Sequence, residues 1–139
     1  MKSSTVNNCS LLEINKHHNV KGSISVIENL DTIPFDVKRV FYLYDVPSGE
    51  SRGGHAHKEL QQFIVAASGS FDVTIDDGKS KRTFTLNRPS YGLLIVPGIW
   101  KNIDNFSSGS VCLVLASVRY KEEDYIRDYN EYKAYKNDK

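Results

Sequence analysis

Gly49-Glu50-Ser51-Arg52-Gly53-Gly54-His55-Ala56-His57-Lys58-Glu59-Leu60-Gln61-Gln62 is the stretch on which the fold and chemistry of this chain turn. Two histidines one residue apart follow a glycine-rich approach. In an extended strand, side chains two apart share a face, with about 6.6 Å of rise between them. His55 and His57 are therefore expected to point together into the lumen of a β-barrel. A lone histidine on such a face is ordinarily a satisfied core residue, whereas a pair after a glycine-rich approach points to function.

Outward from this stretch, short β-branched or aromatic runs alternate with turn residues at the spacing of an all-β sandwich or barrel. The predicted strands cover 11–15, 23–28, 38–46, 60–67, 70–75, 82–86, 93–96 and 111–118. Asp77-Gly78 reads as a two-residue hairpin turn between the runs ending at Ile75 and starting at Thr83, because glycine tolerates positive φ. Pro34, Pro47, Pro89 and Pro97 all fall between runs, where a missing donor does not interrupt a ladder. After Arg119 the sequence KEEDYIRDYNEYKAYKNDK sets Tyr125, Ile126, Tyr129 and Tyr132 at helical spacing, so a C-terminal helical segment over about 121–137 is expected. Its aromatic stripe is expected to pack on the barrel or on a partner subunit.

The whole chain, 139 residues, suits one domain, 1–139, strand-rich over 10–119. Eighteen basic and seventeen acidic residues give a net charge of +1 without a basic block, which argues against a nucleic-acid partner. Cys9 and Cys112 are too few for a disulfide framework and lack zinc-site spacing. No run approaches the roughly 18 apolar residues of a membrane span, and the start MKSSTVNNCS lacks a signal-peptide core. The expected location is cytoplasmic, with no membrane partner.

Two imidazoles with ordinary pKa values near 6.5 suit the removal of a proton from carbon and its return to a neighbouring atom, the chemistry of isomerases and epimerases. A carbon acid beside a carbonyl ionises only if the developing oxyanion is stabilised, so cations should lie nearby. Arg52, Lys101 and Arg39 are the candidates.

Gly49, His55, His57 and Gly69 resemble the first cupin motif, with Gln61 or Gln62 where its glutamate would stand. Gly92-Leu-Leu-Ile-Val-Pro97-Gly98-Ile99-Trp100-Lys101 resembles the second, with lysine in place of histidine. The resemblance implies an all-β cupin jelly roll, a double-stranded β-helix, with a short C-terminal helix. Glutamine is a weak metal ligand and a protonated lysine is none, so the two histidines lack the three or four donors that a metal-dependent cupin uses. No metal is expected.

PFDVKRVFYLYDV, SRGGHAHKELQQ, GLLIVPGIW and EEDYIRDYNEY, taken in order, resemble the dTDP-4-keto-6-deoxyhexose 3,4-ketoisomerases over nearly the whole chain. This resemblance implies a cofactor-free homodimer with exchanged N-terminal strands, acting on a dTDP-linked 4-keto-6-deoxyhexose. In such an enzyme the keto group moves from carbon 4 to carbon 3 through a cis-enediol. It further implies His55 as the base, His57 as its partner in proton transfer, and Arg52, whose fork of donors suits a diphosphate, as a substrate ligand. Arg39, Tyr42, Lys101 and Lys21 are further expected pocket residues. A nucleotide-sugar 3,5-epimerase and a non-catalytic sugar-nucleotide sensor stand as alternatives.

Overall fold

The computed structural model describes residues 2–138. Twelve strands follow in order: β1 (Ser10–Glu13), β2 (Asn15–Asn19), β3 (Gly22–Val26), β4 (Arg39–Leu43), β5 (Arg52–His57), β6 (Gln62–Ser68), β7 (Phe71–Asp76), β8 (Lys81–Leu86), β9 (Tyr91–Ile95), β10 (Trp100–Asp104), β11 (Val111–Ala116) and β12 (Tyr125–Ile126). One α-helix stands among the described residues, α1 (Tyr129–Asn137), after β12. One five-stranded sheet has the order β1-β9-β6-β11-β4, the other β12-β5-β10-β7-β8, and β2 and β3 form a separate hairpin. All of these ladders are antiparallel, as a jelly roll requires.

The period-two alternation of side chains builds the layers. From the first sheet Ile64, Ala66, Leu93, Ile95, Cys112 and Val114 face inward, and from the second Phe71, Val73, Ile75, Phe84, Leu86 and Ile103 meet them. Burying each large apolar side chain contributes about 1.5–3 kcal/mol, which makes this interlayer core the main source of stability. The outer face of the first sheet is also covered, since Phe63, Val65 and Leu94 pack with Ile33 and Phe35. That double burial explains why β6 reads as a continuous apolar run rather than an alternating one.

Helix α1 is shorter than the sequence predicts. Glu122–Asp124 is a 3-10 turn and Tyr125-Ile126 a strand paired with β5, so the helix begins only at Tyr129. The aromatic stripe is correspondingly divided. Tyr129 and Tyr132 lie on the helix and pack with Ile126 on Trp100 and Ala56, on the outside of the second sheet, while Tyr125 belongs to the strand. The β7–β8 turn also differs from expectation: it spans Asp77 to Ser80, with the Asp77 carboxylate accepting the N–H groups of Lys79 and Ser80. The side chain extends the turn by satisfying its backbone donors.

Candidate active site

The histidine pair sits on the inner face of β5. Lys101 lies opposite His55 in the β5–β10 ladder, and residues directly opposite share a face. The rings of His55 and His57 meet edge to face with centroids 5.0 Å apart. His55 is half-buried and His57 is 6 % exposed. The turn of the second cupin-like motif holds this strand in place, because the Gly98 N–H donates to the His57 carbonyl at 2.7 Å. Gly98 has φ +83°, which suits a residue without Cβ.

Arg52 reaches the same face through an irregularity. It lies three positions before His55, so in a regular strand the two would point to opposite faces. The β5–β10 register shifts between Lys101 and Ile103, pairing Lys101 with His55 but Ile103 with Arg52. The extra residue in β5 is a β-bulge, and Gly53 with φ +97° permits it. Arg52 thereby lines up with His55 while staying exposed.

From the first sheet come Arg39 and Gln62, which share one lateral row because both register with Ala116. Arg39 donates from Nη2 to the Tyr125 hydroxyl at 3.3 Å. Gln62, 2 % exposed, accepts a bond from the Lys101 ammonium through Oε1. Gln62, rather than Gln61, is thus the inward-facing residue at the position of the cupin glutamate; Gln61 donates its N–H to the Ser117 hydroxyl. Three buried polar atoms lack a hydrogen-bond partner among the described residues: Arg39 Nε, His57 Nε2 and Gln62 Nε2.

Residues 124–127 complete the site, in a stretch where the tyrosine spacing predicts a helix. Tyr125 lies 4.2 Å from the His57 ring and 5.1 Å from the His55 ring. The Asp124 carboxylate, 3 % exposed, stands 3.2 Å from His57 Nδ1. Arg127 stacks over Tyr125 at 4.1 Å and pairs with Glu122. The available signal was the pairing potential of Tyr125-Ile126, which is too short to stand out as a strand.

Burial and surrounding cations set the protonation of the pair. Burial pushes the His55 imidazole from 6.5 down to about 2, and Lys101, His57, Arg127 and Arg39 act in the same direction. Burial likewise lowers His57 to about 3, reinforced by Lys101, Arg39 and Arg127. Both rings are neutral at physiological pH. Burial also lowers Lys101 from 10.5 to about 8, so its ammonium is the major form at neutral pH. The arrangement offers two proton acceptors beside fixed positive charge.

Two expected pocket residues lie elsewhere within this chain. Tyr42 is 58 % exposed, stacks with Tyr44, and occupies the face of β4 opposite Arg39. Alternation requires this, since residues 39 and 42 differ by an odd number. Lys21 lies in the turn between β2 and β3, exposed, with its N–H bonded to Asn19 Oδ1. Among the described residues no group of three or more His, Cys, Asp or Glu converges in a way that could hold a metal ion.

Known proteins match both sequence and fold. The TDP-4-oxo-6-deoxy-alpha-D-glucose-3,4-oxoisomerase of Aneurinibacillus thermoaerophilus is 45 % identical over 115 residues, 83 % of either chain. A 3,4-ketoisomerase from Helicobacter canadensis superimposes with a TM-score of 0.92 at 41 % identity, covering 94 % of this chain and 98 % of the other. A histidine-to-asparagine variant of the 3,4-ketoisomerase of Thermoanaerobacterium thermosaccharolyticum, solved with TDP-4-keto-6-deoxyglucose, gives a TM-score of 0.90 at 37 % identity, with 91 % and 92 % of the two chains covered. With residues 7–137 matching its model, the chain belongs to the family described as FdtA: WxcM-like, C-terminal.

Proposed function

We propose that this chain is a sugar-nucleotide 3,4-ketoisomerase that moves the keto group of TDP-4-keto-6-deoxyglucose from carbon 4 to carbon 3. The observation that carries the reading is the pair of imidazoles with centroids 5.0 Å apart, set beside Lys101, Tyr125 and the Arg39 that Tyr125 holds, in a chain of this family. His55, the more accessible ring, takes the proton from carbon 3. The electrons pass to the carbon 4 oxygen, where the nearby cations stabilise the enediolate. Protonation at carbon 4 and release of the carbon 3 hydroxyl proton, with His57 as partner, leave the carbonyl at carbon 3. Neither metal nor organic cofactor takes part in these steps.

The diphosphate of the substrate fits the guanidinium of Arg52, which the bulge aligns with His55. Burial holds the imidazoles at low pKa and the surrounding cations add to it; the negative charge of the diphosphate offsets the cationic part, so binding raises their basicity when a base is needed.

The functional unit is a homodimer with exchanged N-terminal strands. Supporting this, the β2–β3 hairpin is exposed along almost its whole length, pairs with neither sheet, and presents Val20 and Ile24 to solvent. Exposed Val40, Tyr42 and Tyr44 extend an apolar surface along β4, which lies at the edge of its sheet. Such surfaces favour association. Lys21 and Tyr42 meet the sugar nucleotide through this assembly. The single domain is cytoplasmic, in keeping with its free, buried Cys9 and Cys112; no helix among the described residues is long and apolar enough to cross a membrane.

The test is incubation with TDP-4-keto-6-deoxyglucose in deuterated buffer, followed by NMR. Migration of the carbonyl to carbon 3 is expected, with deuterium entering at carbon 4 to the extent that the His55 proton exchanges with solvent before its return. A carbonyl that stays in place, or label at carbon 5 as an epimerase would give, overturns the proposal.

A further inference from the structure

We infer that Asp124 is a positioning residue that fixes His57 in the tautomer with its hydrogen on Nδ1, so that His57 meets the substrate with a bare lone pair on Nε2. This rests on the ketoisomerase reading for its consequence, but its geometric basis is independent. Asp124 is buried, with Oδ2 3.2 Å from His57 Nδ1 and Oδ1 accepting the Glu59 N–H at 2.8 Å. A carboxylate can only accept, so the bond to His57 requires a hydrogen on Nδ1. A neutral imidazole has one such hydrogen, which leaves Nε2 unprotonated. That atom is buried and has no hydrogen-bond partner among the described residues.

The backbone holds both members of the pair. The Lys58 N–H donates to the Asp124 carbonyl at 3.0 Å, and the His57 carbonyl accepts from Gly98. The charged and titratable groups around the ring are His55 on its own strand, Tyr125 beside Asp124, Lys101 from β10, Arg39 from β4 and Arg127 beyond β12. Asp124 is the one acidic side chain among the described residues that bonds to the imidazole. Oriented this way, His57 begins the reaction as an acceptor.

The isomerisation needs two proton movements. His55 removes the carbon 3 proton as the carbon 3–carbon 4 double bond forms and the carbonyl electrons move to the carbon 4 oxygen. His57 Nε2 then takes the proton of the carbon 3 hydroxyl, becomes an imidazolium paired with Asp124, and passes that proton to the carbon 4 oxygen. The carbon 3 oxyanion collapses to the carbonyl, and the double-bond electrons take a proton from His55 at carbon 4. Protons and electrons balance without any added reactant.

The experiment is nitrogen-15 NMR of the full chain labelled in its histidine rings, with the His57 signals assigned by their loss in His57→Asn. At neutral pH the parent is expected to show His57 protonated at Nδ1 and bare at Nε2. In Asp124→Asn the amide oxygen is retained by the Glu59 N–H, the NH2 group faces His57 Nδ1, and the tautomer is expected to switch. The kcat of that variant should fall about 100-fold or more, the scale of a lost acid–base group, with KM nearly unchanged. Adding His57→Asn to it should cost little more, because the two residues act as a unit. A parent His57 protonated at Nε2 overturns the inference, as does an Asp124→Asn variant whose tautomer is unchanged or whose kcat stays within about twofold of the parent's. Should Asp124→Asn fail to fold, the parent spectrum decides alone. If the parent does not turn over TDP-4-keto-6-deoxyglucose, the functional reading fails, and the tautomer still tests the role of Asp124.

Discussion

His55 and Lys101 face each other across the β5–β10 ladder, and Lys101, 4 % exposed, donates from its ammonium to the Gln62 side-chain oxygen of the opposite sheet. A buried cation thus stands beside the base where a metal-dependent cupin would supply a ligand. Its positive charge discourages protonation of the imidazole in the free enzyme and favours negative charge on a bound sugar oxygen. The two effects share one electrostatic origin.

That relationship predicts a basic limb in the activity profile. Lys101 titrates near 8 because burial disfavours its charged form. If the ammonium stabilises the enediolate, kcat/KM should decline as pH rises through about 8. Lys101→Arg should move the limb to higher pH, since a guanidinium retains its charge. Lys101→Met should abolish the limb and lower kcat by about 100-fold or more, the scale of a lost oxyanion donor. A profile for the parent that stays level through pH 9 would remove Lys101 from this role.

The histidines predict a different limb. With pKa values of about 2 and 3 in the free protein, neither His55 nor His57 should impose an acid limb on kcat/KM near 6.5. Once the diphosphate is bound, the acid limb seen in kcat should lie at higher pH than that in kcat/KM, because the substrate's charge makes protonation easier. Parallel profiles of the two constants from pH 4 to 8 check this, and coincident acid limbs would contradict it.

Sequence alternation made the β-sandwich legible but hid the strands that bear the chemistry. In β5 the polar His55 and His57 occupy core-facing positions, and in β10 Lys101 does the same, so neither run shows the apolar alternation by which strands are recognised. The histidine spacing was informative because a period of two holds between residues 55 and 57. Arg39 and Tyr42 could be separated on the same grounds, since three residues along a strand reverse the face. Arg52 and His55 are also three apart, yet the Gly53 bulge brings them into line, which spacing alone does not disclose. Asp124 and Tyr125 were obscured by the helical spacing of the tyrosines that follow. Their strand conformation depends on pairing with β5, a contact distant in sequence.

Acid stability should report the same buried rings. Each histidine has a folded-state pKa below its ordinary 6.5, so the unfolded chain binds protons that the folded one refuses as pH falls from 6.5 towards 3. Stability is therefore expected to drop across that window, with each ring contributing at most about 1.4 kcal/mol per pH unit. Denaturant titrations at pH 6.5 and 5 should show a smaller loss for the His55→Asn/His57→Asn double variant than for the parent, by on the order of 2 kcal/mol. Equal losses would mean that the rings accept protons without unfolding.

The glycines of the cupin-like motifs predict a purely structural effect. A Cβ on Gly92 would lie 2.5 Å from the Phe63 ring and 2.7 Å from the Ile64 carbonyl oxygen, at the β6–β9 ladder. The ring is fully buried and the carbonyl is backbone, so neither can withdraw cheaply. Gly92→Ala should cost about 1–3 kcal/mol, the usual penalty for overpacking a core. On Gly54 the nearest atom to an added Cβ is the Asn102 side-chain oxygen at 3.2 Å, which can turn aside. Gly54→Ala should therefore be clearly milder, and denaturant midpoints for both variants would check the order. A Gly92→Ala variant as stable as the parent would show that the β6–β9 contact has room that its geometry denies.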